Sequence, residues 1–545
     1  HVVALSGTGV GAPRLEVTPS TLDLGVVPTE AAAAVAIANS GTEELVVTAL
    51  TVTGPFAIPS FFVFPVIVPA GQVFPLEVRL DGAEPGAARG ALSIISNDPS
   101  LPRASVPLSA YVVEDASALE SSAFPAAAST TGLGGAEWRS QAFLVNPTDD
   151  GMVVGLRYRP GTPRPESGAD LSLELPAGHQ RSLANMVAEL GHSGAGGVVL
   201  TASQPGLVAV SRTYADGEAG TYGQFIPALA GEQELAGSAT YVLGGLDANE
   251  GFHSNLGILN LGADPLSVEY RLFDPSGSEL ARRTLNAQAY GYRQLTDVFQ
   301  GVTAATLRGA FLEIVAGDPT ARYLAFASVV DDGSYDPTLV LPVEVDLSAS
   351  PDSLVVPVVA SNPGANGTMW RSDLSVVSRA AESIQISASF QPADPGSSVI
   401  ERALEVPPGS CLRLVDVVRE TFGATGGGHV ELVPSAAGIA VFSRTYNDDP
   451  SGTYGQFVPT LTPGDEIRSG EAAVLAGLKS ASGFRTNLGM TSFSAADITV
   501  TVRAFANDGG LIGELDVLVP AQRFVQVERL LAGQLGFIGT AWATV

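Results

Sequence analysis

The stretch "SRTYADGEAGTYGQF", Ser211 to Phe225, returns almost letter for letter as "SRTYNDDPSGTYGQF", Ser443 to Phe457. The two stand 232 residues apart. A fifteen-residue phrase written twice is either a site made twice or a piece of architecture made twice. Working outward, four shorter phrases align: "WRSQAFLVN" from Trp138, "FHSNLGILN" from Phe252, "WRSDLSVVS" from Trp370 and "FRTNLGMTS" from Phe484, spaced by 114, 118 and 114 residues. A period of this kind marks a repeat architecture. The first and third copies share the long phrase and the second and fourth do not, so the order is A-B-A-B and the duplicated object is a pair.

Inside each copy the pattern has period two. "SQAFLVN", "VGLRYRP", "LSLELPAG" and "GLVAVSRTY" are short, rich in β-formers and bounded by Gly, Pro, Asn or Asp. Strands punctuated by turns over about 115 residues predict a sandwich. One short helix-like run recurs per copy: "LANMVAELG", "LTDVFQG", "LVDVVRETFG" and "VERLLAGQLG". The expected fold is all-β, with tandem immunoglobulin-like and related β-sandwich domains and one short helix in each repeat. The expected divisions are 1–10 (an orphan terminal strand), 11–115 (an immunoglobulin-like domain), 118–234 (repeat A1), 235–349 (B1), 350–465 (A2) and 466–545 (B2, incomplete). Trp138, Phe252, Trp370 and Phe484 are expected to be largely buried.

Composition narrows the function. The net charge of −28 opposes nucleic acid and anionic lipid as partners. No run reaches the roughly 18–20 apolar residues of a membrane helix, so no membrane insertion is expected. The one cysteine, Cys411, has no partner for a disulfide within the chain and no His close in sequence, which fits a packed side chain better than a catalytic thiol. Nearly all basic residues are Arg, with Lys479 the one lysine, a composition suggesting a GC-rich bacterial gene. Together these features lead us to expect an extracellular or cell-surface bacterial protein.

Residues 11–115 stand outside the repeat. Leu24-Gly25 after Pro19, Asn39-Ser40-Gly41 after a strand, Pro69-Ala70-Gly71, and Ser96-Asn97-Asp98-Pro99 before the last strand resemble, in that order, the Hydin-type (ASH) immunoglobulin-like family. That family includes the domains of bacterial choice-of-anchor surface proteins. The resemblance implies a sandwich used as a spacer or interaction module, with no catalytic residues. The later repeats resemble uncharacterised tandem β-sandwich regions of large bacterial surface proteins. "HVVALSGTGV" at 1–10 parallels "ASVPLSAYVV" at 104–113, so the chain reads as a piece of something longer. "GTAWATV" parallels "GAFLEIV", and B2 is expected to lack its last strands. A strand donated from a neighbour, through Val2, Val3 and Leu5, is one expected way to complete it.

On "GLVAVSRTY", Val208, Val210, Arg212 and Tyr214 share one face of a strand. They are expected to meet Tyr222 and Gln224 across a hairpin, with Arg444, Tyr446, Tyr454 and Gln456 the second set. The B copies lack this Arg and Tyr, so the cluster is particular to A. Three readings stand in order: packing across the A–B junction, a polar ligand pocket, and catalysis. His179, His192, His253 and His429 show no metal-ligand spacing. The acidic pairs Asp149-Asp150, Asp331-Asp332 and Asp448-Asp449 read as solvated turns, leaving calcium as the one cofactor open. No enzymatic activity is expected. The first functional expectation is a subunit or segment of a surface fibre, filament or stalk that self-associates end to end. A glycan- or protein-binding adhesive module and the accessory region of a large secreted hydrolase are the alternatives.

Overall fold

The computed structural model describes residues 11–132, 135–162, 168–217, 220–237, 239–350 and 352–545. Val2, Val3 and Leu5 lie outside the described residues. The chain is nearly all β. Its first sandwich packs a four-stranded sheet (Leu15–Thr18, Ala32–Asn39, Val73–Leu80, Phe56–Ala57) on a five-stranded one (Leu22–Val27, Arg103–Val112, Gly86–Ser96, Leu45–Thr53, Val66–Val68). The alternating side chains Val35, Ile37, Leu76, Val78, Leu92 and Ile94 fill the space between them. Asn39 is buried because it locks a turn. Its amide donates to the Glu43 and Val68 carbonyls, and its oxygen accepts from the Arg14 and Gly41 amides. Asp98 does the same for the last hairpin, accepting from Leu15, Ser100 and Leu101.

A1 and A2 have one topology. In A1 the order runs Leu171–Leu175, Met152–Pro160, Gly194–Ala202, Glu120–Thr131, Glu137–Val145, Val208–Gly217, Gly220–Pro227, with Gln180–Leu183 also on Glu137–Val145. A2 repeats the pairings, those of the hairpin 232 residues on: Arg139 faces Tyr214 as Arg371 faces Tyr446, and Tyr214 faces Gly223 as Tyr446 faces Gly455. The repeated words are paired residues. The Ser140 hydroxyl bonds the Thr213 hydroxyl at 2.6 Å, and Ser372 bonds Thr445 at 2.7 Å. In the B copies Ser254 exchanges two bonds with the backbone of Asp247, and Thr486 does so with Lys479.

The first strand of every repeat is broken by a bulge, and the cause differs by type. In A1 the register slips between Phe124 and Ala127, and in A2 between Val356 and Val359. Pro125 and Pro357 fall inside these slips and have no N–H to give the ladder. In B1 and B2 the slips span Leu243/Leu246 and Leu475/Leu478, where Gly245 (φ +72°) and Gly477 (φ +69°) hold a conformation that favours glycine.

These bulges are where the repeats meet. Leu259 of B1 seats against Gly197 of A1, and Thr491 of B2 donates to the Pro357 carbonyl of A2. The ring of Phe442 in A2 lies on Gly244 of B1, and that of Phe143 in A1 on Gly477 of B2. One main-chain bond recurs at the same place: Cys411 N–H to the Pro275 carbonyl joins A2 to B1, and Gln180 N–H to the Asn507 carbonyl joins A1 to B2. Each A therefore touches both B repeats. The four sandwiches close on themselves in a ring with approximate two-fold symmetry. Leu259, Tyr292, Leu324, Phe326 and Leu339 of B1 join the core of A1, and Val377, Cys411, Ala440 and Phe442 of A2 join that of B1, whereas the core of B2 is built from B2 residues. The N-terminal sandwich sits on the outside, with Asp23 accepting the Ala169 amide of A1 and Val26 packed on Val153.

Two expectations need correction. The short helix is four residues in A1 (Met186–Glu189) and a five-residue π-turn in A2 (Val417–Thr421) and B2 (Leu530–Gln534), but B1 has only hydrogen-bonded turns after Asp297. Gly301, at φ +68°, stops the B1 turn four residues after Asp297, whereas Gly423 and Gly536 come seven residues after Asp416 and Arg529. Nor are the four aromatic landmarks buried: Trp138, Phe252 and Trp370 are half-buried and Phe484 is exposed. Trp138, Phe252 and Trp370 stand near the starts of their strands, and Phe252 packs on the edge of the B1 core.

Gly244 tests the junction. A Cβ there would meet the Phe442 ring at 2.4 Å. Gly244→Ala is expected to cost about 1–3 kcal/mol, the usual penalty for overpacking, read as a lower urea midpoint. Gly244→Ala with Phe442→Val should recover part of it.

Candidate functional site

The doubled phrase forms a hairpin in each A repeat. Its register decides what the side chains can do. Arg212 pairs with Phe225, Thr213 with Gln224, Tyr214 with Gly223 and Ala215 with Tyr222. Arg444, Thr445, Tyr446 and Asn447 pair with Phe457, Gln456, Gly455 and Tyr454 in the same way. Even positions of one strand therefore share a face with odd positions of the next. Arg212 and Tyr214 come together, with the guanidinium 5.1 Å from the ring centroid, but Tyr222 and Gln224 lie on the opposite face. The expected four-residue cluster is split in two by the pleat.

Between the two hairpins sits a carboxylate that the sequence did not single out. Asp336 of B1 accepts the Gly223 amide on one oxygen at 2.9 Å and the Gly455 amide on the other at 2.8 Å. These glycines occupy the same place in the two copies of "TYGQ". Asp331 adds a second tie to A2, accepting the Thr453 amide and hydroxyl, while Ser334 donates to the Thr453 carbonyl. The Asp331-Asp332 pair is thus no solvated turn: Asp331 is buried and Asp332 lies 2.6 Å from the His253 ring. The segment carrying these groups, Asp331 to Pro337, is where B1 departs from "TYGQ".

The two A copies then diverge. Arg444 reaches out to the Thr338 hydroxyl of B1, whereas Arg212 stays on Thr221 of its own hairpin. Gln224 accepts from Ser328 of B1, whereas Gln456 is exposed. Tyr222 meets Trp138 edge-on at 5.5 Å, and Tyr446 donates to Asp373.

Two clefts open at the A1 junctions. One, of about 270 Å³ between A1 and B1, is lined by Trp138, Gln224, His253, Asn255, Tyr292 and Tyr335. Tyr335 is 45% exposed and at φ +59°, a backbone conformation that costs of order 1–3 kcal/mol for such a residue. The other, of about 460 Å³, lies between A1 and B2 and takes in Arg212 and Tyr214.

The remaining candidates are held elsewhere. Burial pushes the Cys411 thiol up to about 12 and the His429 imidazole down to about 4, so neither is ionised near neutral pH. Among the described residues no group of three or more His, Cys, Asp or Glu is placed to hold a metal ion.

No protein-family model matches the chain, and no curated protein does. Among solved structures it is similar to a protein of unknown function from Porphyromonas gingivalis W83, at 23% identity over 20% of this chain and 50% of that one, TM-score 0.17. It is similar to the secreted serine protease VesC from Vibrio cholerae at 11% over 58% and 49%, TM-score 0.16. It is similar to the YadV chaperone at 13% over 40% and 97%, TM-score 0.17. The chain spans about half the length of the first two. Likeness at these TM-scores carries no functional argument.

Asp336 yields a test by pH. Burial pushes its carboxyl up to about 6, against the pull of the two glycine amides and of Arg444 and Arg212. A folded-state value above the ordinary 3.8 means that the folded chain binds this proton more tightly than the unfolded one. Its share of stability therefore rises as pH falls through about 6 and is complete below about 4. Between pH 7 and 5 the wild type should gain about 1 kcal/mol more than Asp336→Asn in urea titrations. Equal gains would place no titrating group there.

Proposed function

We propose that this chain is a non-enzymatic, extracellular bacterial module in which the four-sandwich ring serves as a rigid binding head and the N-terminal sandwich as its spacer. The observation that carries this is the convergence, in the open cleft at the A1–B1 junction, of the aromatic rings of Trp138, Tyr292 and Tyr335 with the polar side chains of Gln224, His253 and Asn255. Such a mixture suits a polar ligand such as a glycan. The site is built from two sandwiches at once, so closing the ring fixes its shape. Closure also favours a discrete head over a stalk, because the A–B surfaces that would stack lengthwise are spent inside one molecule.

The second reading is the fibre subunit, in which a strand donated through Val2, Val3 and Leu5 joins one copy of the chain to the next.

Electron microscopy of the purified 545-residue chain separates the two. Discrete particles at micromolar concentration are expected for the head. Growth into fibres, blocked by Val2→Asp and Val3→Asp, would establish the second reading in its place.

A further inference from the structure

The A1–B1 cleft holds more hydrogen-bond donors than the protein itself can use. Asn255 accepts the Asp297 amide on its side-chain oxygen at 3.0 Å. A main-chain N–H can only donate, so this bond fixes which end of the Asn255 amide is oxygen and leaves the NH2 end over. Gln224 is held in the same way by the Ser328 hydroxyl, which donates to its oxygen at 3.0 Å, and Gln294 by the Tyr292 hydroxyl. All three amides line the cleft. Their oxygens are pinned, and their NH2 groups have no hydrogen-bond partner among the described residues. Asn255 is only 8% exposed. A buried donor without an acceptor costs free energy, and a ligand that brings the acceptor removes that cost.

The rest of the lining selects the kind of acceptor. No Lys or Arg lines the cleft, and its one histidine, His253, is already bonded to its one carboxylate, Asp332, at 2.6 Å. An anion would meet no uncompensated positive charge there. A neutral carbonyl accepts without that need. Asp332 uses one oxygen on His253, and the other has no partner among the described residues, so the cleft also offers an acceptor for one N–H. A carbonyl and an N–H side by side are an amide. The apolar part of the lining fits a small group beside it. Trp138 and Tyr335 supply ring surface, and Ala127, Ala128 and Ala195 are short enough to leave room for a methyl. The volume of about 270 Å³ lies just under the range of about 300–1,000 Å³ for drug-sized ligands, which suits one sugar ring. Every lining residue belongs to A1 or B1. Thr213 and Gln224 reach the cleft from the face of the A1 hairpin opposite to Arg212.

We propose that the A1–B1 cleft binds a 2-acetamido sugar, an N-acetylhexosamine. The acetamido carbonyl and the ring hydroxyl oxygens accept from the NH2 groups of Asn255, Gln224 and Gln294. The acetamido N–H donates to Asp332, and the methyl and the apolar face of the ring meet Trp138 and Tyr335. This names a ligand class for the binding-head reading and rests on it.

Saturation-transfer NMR on the 545-residue chain tests it. The methyl glycosides of N-acetylglucosamine and N-acetylgalactosamine are titrated separately. Methyl glucoside, methyl galactoside, galacturonate and N-acetylalanine methylamide are the comparisons. Saturable binding of at least one acetamido sugar is expected, at least tenfold tighter than of its parent sugar, with the acetyl methyl the most strongly saturated group. Gln224→Glu and Gln294→Glu each exchange an NH2 for an oxygen without changing shape and keep the acceptor for Ser328 or Tyr292. Each should weaken binding at least tenfold, and an unchanged urea midpoint in either variant ties the loss to the cleft. Equal affinity for the parent sugar, tighter binding of galacturonate or of the acetylated amino acid, or full binding by both variants would each overturn the proposal while leaving the binding-head reading standing. No binding of any of these probes would overturn the proposal and count against the binding-head reading with it.

Discussion

A single buried carboxylate holds the ring at its centre. Asp336 sends one oxygen to the Gly223 amide and the other to the Gly455 amide, so two sandwiches 232 residues apart in sequence meet on one side chain of a third. A hydrogen bond to a charged group is worth about 1.5–3 kcal/mol, but burying the charge offsets part of that, as its raised pKa records. What the group supplies is geometry. Two amides aimed at one carboxylate fix the angle between A1 and A2 and leave little room for slippage.

The rest of the ring follows from broken strands. A strand that pairs along its whole length presents no main-chain groups to a neighbour. Pro125 and Pro357 interrupt the A strands because they cannot donate, and Gly245 and Gly477 interrupt the B strands because they adopt a left-handed conformation. The interruptions expose the Pro357 carbonyl to Thr491 and the Gly477 amide to Gln180. On this common frame the two copies keep some side-chain contacts and change others. Phe273 on Phe311 and Phe505 on Trp542 are the same stacked pair, while Lys479 stands in B2 where B1 has Asp247.

The sandwich class and the A-B-A-B period were legible because both are local. Alternation gives the strands, and Trp-Arg-Ser and Ser-Arg-Thr-Tyr recur because Ser140 and Thr213 are bonded to each other. The site was legible only in part. Arg212 and Tyr214 line a cleft, but the register of a hairpin sets which residues of its second strand join them, and no composition rule reveals that register. Asp336 was hidden because its partners are backbone amides 113 and 119 residues away, which leave no side-chain pattern. The one signal was negative: "DDGSYDP" begins where "TYGQ" is lost. Closure of A1 on B2 rests on contacts more than 290 residues apart, beyond any local reading.

Small-angle X-ray scattering of the 545-residue chain tests closure most directly. A compact chain of this length has a radius of gyration of about 24 Å, and a closed ring with one sandwich outside it should give roughly 25–32 Å. Five sandwiches strung end to end would exceed about 50 Å. A value in the lower range that rises on Asp336→Ala is what the ring predicts. A value near that of a string, unchanged by the substitution, would contradict it.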